Sequence, residues 1–477
     1  MIYIPVFLFN ERAILSTINL YLVNLHYKPL IMIQRKVIVW SVIMALGGFL
    51  FGFDTAVISG AEKAIQAYWH LGVKLHGLTI SIAIIGTVFG ALFGRIPADA
   101  LGRKKTLLII AFIFLFSSLG TALATNWYLF MVLRFIGGLG IGASSVTAPI
   151  YISEISPAKS RGRLVILFQL NIVLGILIAF VSNYVIGILG QNLHDSWRYM
   201  LGVMAVPSLA FLILLRLVPE SPRWLILHKA DHDEAKRVLK VINPEGYKED
   251  FANIIDSNAE DAKDEGDEDI FTRRYRFQAM LAILFAFFNQ VSGINAIMYY
   301  APRIFEMTGF SKNDSLLSTT YLGVINFIFT MLAIRFIDST GRRKLMLIGS
   351  FGLIFTLGLV SYSFFTKNFS GYYVTGSLVC FMAFFAFSQG AVIWVFISEI
   401  FPNQVRAKGQ TLGSLTHWVM AALITFSFPY FAEKMGGGGT FLFFTIMMVF
   451  QLIFVWKIMP ETKGKSLEQI EHTLTMH

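Results

Sequence analysis

The sequence predicts an all-α membrane protein of twelve spanning helices in two six-helix halves, with short cytoplasmic helices between and after them. Three observations predict this class. Hydrophobic residues make up 56% of the 477 and charged residues only 14%, against roughly 25% charged in soluble domains. Forty-five Phe and eight Trp exceed what one soluble core can hide. Twelve apolar stretches recur near or above the roughly 20 residues that cross a bilayer.

Those stretches lie at about 37–61, 78–98, 106–125, 128–150, 164–189 and 197–217, then 277–301, 316–337, 345–365, 372–397, 411–431 and 441–459. Six fall in each half, and the halves repeat each other. Ser153-Glu154-Ile155-x-Pro157-x-x-x-Arg161 returns as Ser398-Glu399-Ile400-x-Pro402-x-x-x-Arg406. Asp99-x-x-Gly102-Arg103 returns as Asp338-x-x-Gly341-Arg342, and Pro219-Glu220-Ser221 as Pro460-Glu461-Thr462. All three offsets are close to 240 residues, so the unit is duplicated. Two parallel halves in a membrane chain are a transporter's architecture, with the site between them.

Basic residues orient the chain. The loop after the second span carries Arg103, Lys104 and Lys105, and those after spans four, eight and ten carry Arg161, Arg342 and Arg406 with their basic neighbours. The opposite loops are poorer in Lys and Arg, which makes the rich loops and both termini cytoplasmic. The net charge of +10 follows from this asymmetry and from attraction to anionic lipid, so no nucleic-acid partner is needed. The single cysteine, Cys380, excludes an intramolecular disulfide and is expected to be buried in its span. No His/Cys pair has metal-ligand spacing, so neither metal nor cofactor is expected. Gly436–Gly439 reads as a flexible external turn.

The domain reading is an extension over 1–35, a six-helix half over 36–218, a cytoplasmic helical linker over 219–276, a second half over 277–459 and a cytoplasmic tail over 460–477. Met32, just ahead of Gln34-Arg35-Lys36, is the expected start, with 1–31 a mis-assigned extension. In the linker, residues 231–237 read as an amphipathic helix and 260–269 as a solvated acidic run.

Ionisable groups inside a membrane are costly and point to function. Asp54 in the first span and Arg134 near the start of the fourth lie on the same side, and each is the other's natural partner. Polar amides and aromatics in later spans suit an uncharged, hydroxyl-rich ligand: Gln169, Asn289, Gln290, Asn295, Asn326, Trp394 and His417. Gln290 and Asn295 are five positions apart, which a straight helix cannot put on one face. Gly293 between them could let the helix unwind and aim both inward. At the cytoplasmic ends, Asp99, Arg103, Glu154, Arg161, Glu220, Asp338, Arg342, Glu399 and Arg406 form a duplicated set read as conformational latches, Glu154 pairing with Arg161 and Glu399 with Arg406.

Together these residues resemble the sugar porters of the major facilitator superfamily, most of all bacterial proton-coupled pentose and hexose symporters. The resemblance rests on Gly52-Phe53-Asp54-Thr55, Arg134-Phe135-Ile136-Gly137-Gly138, Pro219-Glu220-Ser221-Pro222-Arg223-Trp224-Leu225, Gln290-x-x-Gly293-Ile294-Asn295, Tyr299-Tyr300-Ala301-Pro302 and Pro460-Glu461-Thr462-Lys463-Gly464. It covers about residues 40–470 and implies the major facilitator fold. It further implies Asp54 as the proton-coupling carboxylate with Arg134 as partner, and the amides and Trp394 as sugar contacts. Phe51, Tyr300, Gly390 and Trp418 match pocket-lining positions. Asn289 replaces a common glutamine, Ile176 a second span-five glutamine, Ala391 a proline and His417 an amide, so the pocket departs from the family pattern.

The resulting expectation is a monomeric inner-membrane symporter whose partners are a neutral monosaccharide, a proton and the bilayer. An uncoupled facilitator of the same fold and a non-transporting sugar receptor stay open as alternatives. No nucleophile–base constellation supports a membrane enzyme.

Overall fold

The computed structural model describes residues 35–157, 160–190, 195–264, 269–369, 373–402 and 404–464, and of 257–264 the backbone alone. The extension 1–31 and its proposed start at Met32 lie outside these residues. So do the tail beyond 464 and the side chains of most of the acidic run. Among the described residues the secondary structure is helical throughout.

The spans are α1 (Arg35–Tyr68), α2 (Val73–Phe93), α3 (Arg103–Leu123), α4 (Trp127–Glu154), α5 (Arg161–Leu189), α6 (Ser196–Leu217), α7 (Arg276–Glu306), α8 (Lys312–Thr340), α9 (Arg342–Thr366) and α10 (Tyr373–Glu399). A final continuous stretch, Arg406–Lys457, has 52 residues, far more than one bilayer crossing takes. It bends at Gly436, whose φ of 67° and ψ of 175° leave the helical region, giving α11 (406–435) and α12 (437–457). The count of twelve therefore holds. α1 runs two turns past its apolar stretch because Glu62 to Tyr68 continue as good helix formers. Large apolar side chains such as Phe93, Phe112, Phe351 and Trp456 remain exposed, the outer face a multi-pass bundle presents to lipid.

Two expectations fail here. Of the four glycines 436–439, only Gly436 makes the turn; the next three are helical and buried at the start of α12. Space explains this, since a Cβ on Gly437 would sit 2.4 Å from the Phe364 ring and one on Gly438 2.9 Å from Phe365. Cys380 lies in α10 but is exposed on its surface, where a small apolar thiol faces lipid as readily as protein.

Within the first half, α1 packs along α5 and α2 along α4. The approach is close: a Cβ on Gly52 would lie 1.9 Å from the carbonyl oxygen of Ile172, and one on Gly175 2.1 Å from that of Phe49. Small residues let helices without a hydrophobic driving force gain their contact through packing. The halves meet through α1 with α7, α2 with α11 and α5 with α8. The close contacts across that seam involve Gly77 with Phe426, Gly187 with Leu316, and Gly323 with Leu177 and Phe180. All lie toward the end of the bundle where α1 finishes and α8 begins, away from the duplicated arginine motifs.

Between the halves, Ser221 caps a turn at Pro222–Trp224 and Asp231 caps His232–Ile242 by accepting from the Glu234 N–H. That helix is the expected amphipathic one, extended by about one turn. Its Ala235 and Leu239 pack on Trp224, Leu225 and Ile226, the turn that follows α6.

Candidate substrate and proton site

Asp54 and Arg134 meet in the first half. Arg134 Nη1 donates to Asp54 Oδ1 at 2.6 Å, and the residues are 4% and 2% exposed. α1 is held at this depth by the Gly52 contact with α5, and α4 presents Arg134 one turn before Gly137-Gly138, which seat against α3 and α2. Asp54 Oδ2 and Arg134 Nε and Nη2 are buried without a protein partner among the described residues. A buried pair with spare polar atoms stores a large response to loss of either charge. If the carboxylate takes a proton, the guanidinium loses its counter-charge.

In the second half, α7 breaks. Arg276–Val291 and Ile294–Glu306 are separate helices joined at Gly293, whose φ is 83°. Across that break Asn295 Nδ2 donates to Gln290 Oε1 at 2.5 Å, and Gln290 Nε2 reaches Asn289 Oδ1 at 2.9 Å and the His417 ring at 3.1 Å. Four of the seven residues expected to line the site thus share one polar cluster. Trp394 lies 4.9 Å and Trp418 5.0 Å from the His417 ring. Trp418 in turn lies 5.5 Å from Phe51 of α1, so the aromatic wall spans both halves. Trp394 is 37% exposed, and Gly390 on α10 is half-buried.

Gln169 and Asn326 stand apart from this cluster. Gln169 on α5 has no protein hydrogen bond among the described residues, and Asn326 accepts from Thr330 of its own helix at 3.5 Å. Both leave most of their side-chain hydrogen-bonding capacity unused among the described residues. Tyr300 is fully buried; its hydroxyl donates to the Thr425 carbonyl at 3.1 Å and its ring lies 5.0 Å from Phe428.

The duplicated motifs form two matching charge clusters. Arg103 donates to Glu154 at 3.0 Å and meets Asp99 at 3.0 Å. Arg342 donates to Glu399 at 2.7 Å and meets Asp338 at 3.0 Å. The expected pairings of Glu154 with Arg161 and Glu399 with Arg406 do not form. Those arginines donate instead to the carbonyls of Ser153 and Phe401. The cause is the turn before α3 and α9: Gly102 and Gly341 both have φ of 95°, which brings Arg103 and Arg342 against the ends of α4 and α10. Each pair lies within one half, so it stiffens that half's end. Glu220 accepts from the Lys104 N–H at 3.1 Å, and Glu461 from the Arg342 N–H at 2.9 Å. Burial pushes the Glu220 carboxyl above the usual range, with the Ser221 and Lys104 N–H groups opposing it. Glu461 escaped the latch reading although its place in the repeat pointed to it.

A third cluster was missed altogether. At the opposite end Glu62 of α1, 1% exposed, faces Arg303 of α7 and His76 of α2. The signal was available: Glu62 lies eight positions, about two turns, from Asp54 on the same helix.

A twelve-span bundle of two like halves, with a buried ion pair in one and an amide-aromatic cluster in the other, defines a solute carrier of the membrane. A family model described as sugar (and other) transporter matches residues 40–474, and the chain belongs to that family, the sugar porters of the major facilitator superfamily. It is 38% identical over 440 residues to an arabinose-proton symporter of Bacillus subtilis, covering 91% of this chain and 94% of that one. It is 32% identical to the D-xylose-proton symporter of Escherichia coli K12, over 90% and 94% of the two chains. The inward-open structure of the E. coli xylose transporter superposes with a TM-score of 0.80, covering 91% of this chain and 98% of the other.

Proposed function

We propose that this protein is a monomeric proton-coupled symporter of a neutral monosaccharide, in the cell's inner membrane with both termini cytoplasmic. The observation that carries it is the buried Asp54–Arg134 pair at 2.6 Å, placed in the half that faces the amide cluster. Sugar binds between the halves, with its hydroxyls on Gln290, Asn295, Gln169 and Asn326 and its C–H face on Trp394. The rocking units are residues 36–218 and 277–459.

The seam contacts gather at the end away from the arginine motifs. With those motifs cytoplasmic, the outside is closed and the site opens inward, in keeping with the likeness to an inward-open relative. Coupling needs one condition: the sugar-loaded closed form must prefer protonated Asp54. That preference is the coupling free energy, and by linkage the proton favours sugar equally.

The test is counterflow and gradient-driven uptake of labelled D-glucose, D-xylose, L-arabinose and D-galactose in proteoliposomes. Accumulation under an inward proton gradient, lost in Asp54→Asn while counterflow persists, is the expected result. Counterflow without accumulation in the wild type would leave a facilitator, and no counterflow with any sugar would remove the cargo assignment.

A further inference from the structure

The cluster at the opposite end is built from both halves. Glu62 Oε1 accepts from Arg303 Nε at 2.8 Å, and Glu62 Oε2 from Arg303 Nη2 at 2.8 Å, a bidentate pair across the seam. His76 Nε2 lies 2.7 Å from Glu62 Oε2. Arg303 Nη2 also donates to Gln66 Oε1 at 2.5 Å, and Lys63 pairs with Glu306 beside it. Glu62 and His76 are 1% and 0% exposed at their side chains, and Arg303 21%. Toward α11 the neighbours are Phe426, behind Gly77, and Phe428, behind Tyr300; neither titrates. Tyr300 itself is held by Thr425.

We propose, building on the rocking reading above, that Glu62 and His76 form a second proton-binding site, and that Arg303 and a proton compete for it. The protons can be placed from the hydrogen bonds. A carboxylate only accepts, so Nε2 of His76 carries its hydrogen. Nδ1 is buried with no partner among the described residues, so a proton there would lack an acceptor. It would also put an imidazolium beside Arg303, whose Nη2 is 3.4 Å from the ring, with the Glu62 carboxylate shared between the two cations. The closed gate therefore offers a second proton on His76 no acceptor among the described residues.

Glu62 and His76 sit on α1 and α2 of one half, whereas Arg303 sits on α7 of the other. When the halves part at this end, Arg303 leaves and the carboxylate–imidazole pair stays behind, wetted from outside. Water then delivers a proton to Nδ1, and the imidazolium replaces the guanidinium as partner of Glu62. Closing reverses the exchange and returns that proton to water. The open state holds one more proton than the closed one, so external acid favours the outward-open form. The site is distinct from Asp54, two turns along α1.

The experiment follows the width of this mouth. Lys74 on α2 and Lys312 on α8 are exposed at this end on opposite halves. The pair Lys74→Cys and Lys312→Cys, in a chain carrying Cys380→Ser and Asp54→Asn, is spin-labelled in nanodiscs and its distance distribution recorded from about pH 5 to about pH 8. The long-distance population should grow as pH falls, by at most about tenfold in its ratio to the short one per pH unit, the ceiling for one linked proton. His76→Gln keeps a donor for Glu62 and should make the ratio flat. Arg303→Gln should shift it to long distances at every pH. A slope that survives His76→Gln, a slope of opposite sign, or none at all in the Asp54→Asn background would overturn the proposal. Absence of any long-distance population, Arg303→Gln included, would instead overturn the rocking reading beneath it.

Discussion

Asn295 and Gln290 are joined side chain to side chain at 2.5 Å, although they are five positions apart on one span. Gly293 permits it by taking φ of 83°, and the same break lets Gln290 reach His417. An alanine there would be strained by about 1–2 kcal/mol in the left-handed region. Its Cβ would also lie 2.6 Å from the Phe444 ring. Gly293→Ala should therefore lower Tm by several degrees and depress sugar counterflow. A variant with wild-type counterflow would show that the break is not needed for the cluster.

Arg134→Gln should be strongly destabilising. It strands Asp54 as a buried charge, and removing one partner of such a pair costs about 3–5 kcal/mol. Asp54→Asn with Arg134→Gln leaves two neutral groups in the same space, so the double variant should regain much of the lost Tm. A double variant no more stable than Arg134→Gln would mean the pair is not what the loss reports.

The two motif-end clusters look alike but should not respond alike. The Glu154 side chain is 9% exposed and that of Glu399 25%. Water can take over part of the solvation of Glu399 when its arginine is lost. Arg103→Gln should therefore cost more stability than Arg342→Gln, within the range of about 1–3 kcal/mol for a hydrogen bond to charge. Thermal melts of the two variants side by side decide it; equal losses would contradict the burial argument.

The span count, the two halves and the pairing of Asp54 with Arg134 were legible because each rests on a strong local signal: apolar length, an exact repeat, or a charge where charge is costly. The partners of Glu154 and Glu399 were not. In sequence Arg161 is seven positions from Glu154, but Arg103 is brought there by a glycine turn whose direction no periodicity encodes. The Glu62–His76–Arg303 cluster was obscured for a related reason. Glu62 sits where an apolar stretch ends, and a charge at a span's end reads as a solvated boundary until the second half closes over it. Cys380 and the glycines at 437–439 depended on which face of a helix meets a neighbour, and an evenly apolar span carries no such information.

Glu220 gives a prediction whose sign is fixed. Burial raises its carboxyl, and the N–H donors of Ser221 and Lys104 reduce that rise without cancelling it. The folded chain thus holds this proton more tightly than the unfolded chain does. The contribution to stability is full below the ordinary glutamate value and is lost as pH rises through the raised one. Glu220→Gln keeps an oxygen for the Lys104 N–H and removes the charge that burial disfavours. Its Tm relative to the wild type should therefore increase on going from about pH 4 to about pH 7, the interval above the ordinary carboxylate range. Tryptophan fluorescence melts of both proteins across that interval measure the difference directly. A gap that narrows with rising pH would mean the charged carboxylate is favoured at the turn, and that the N–H donors and Arg103 outweigh burial.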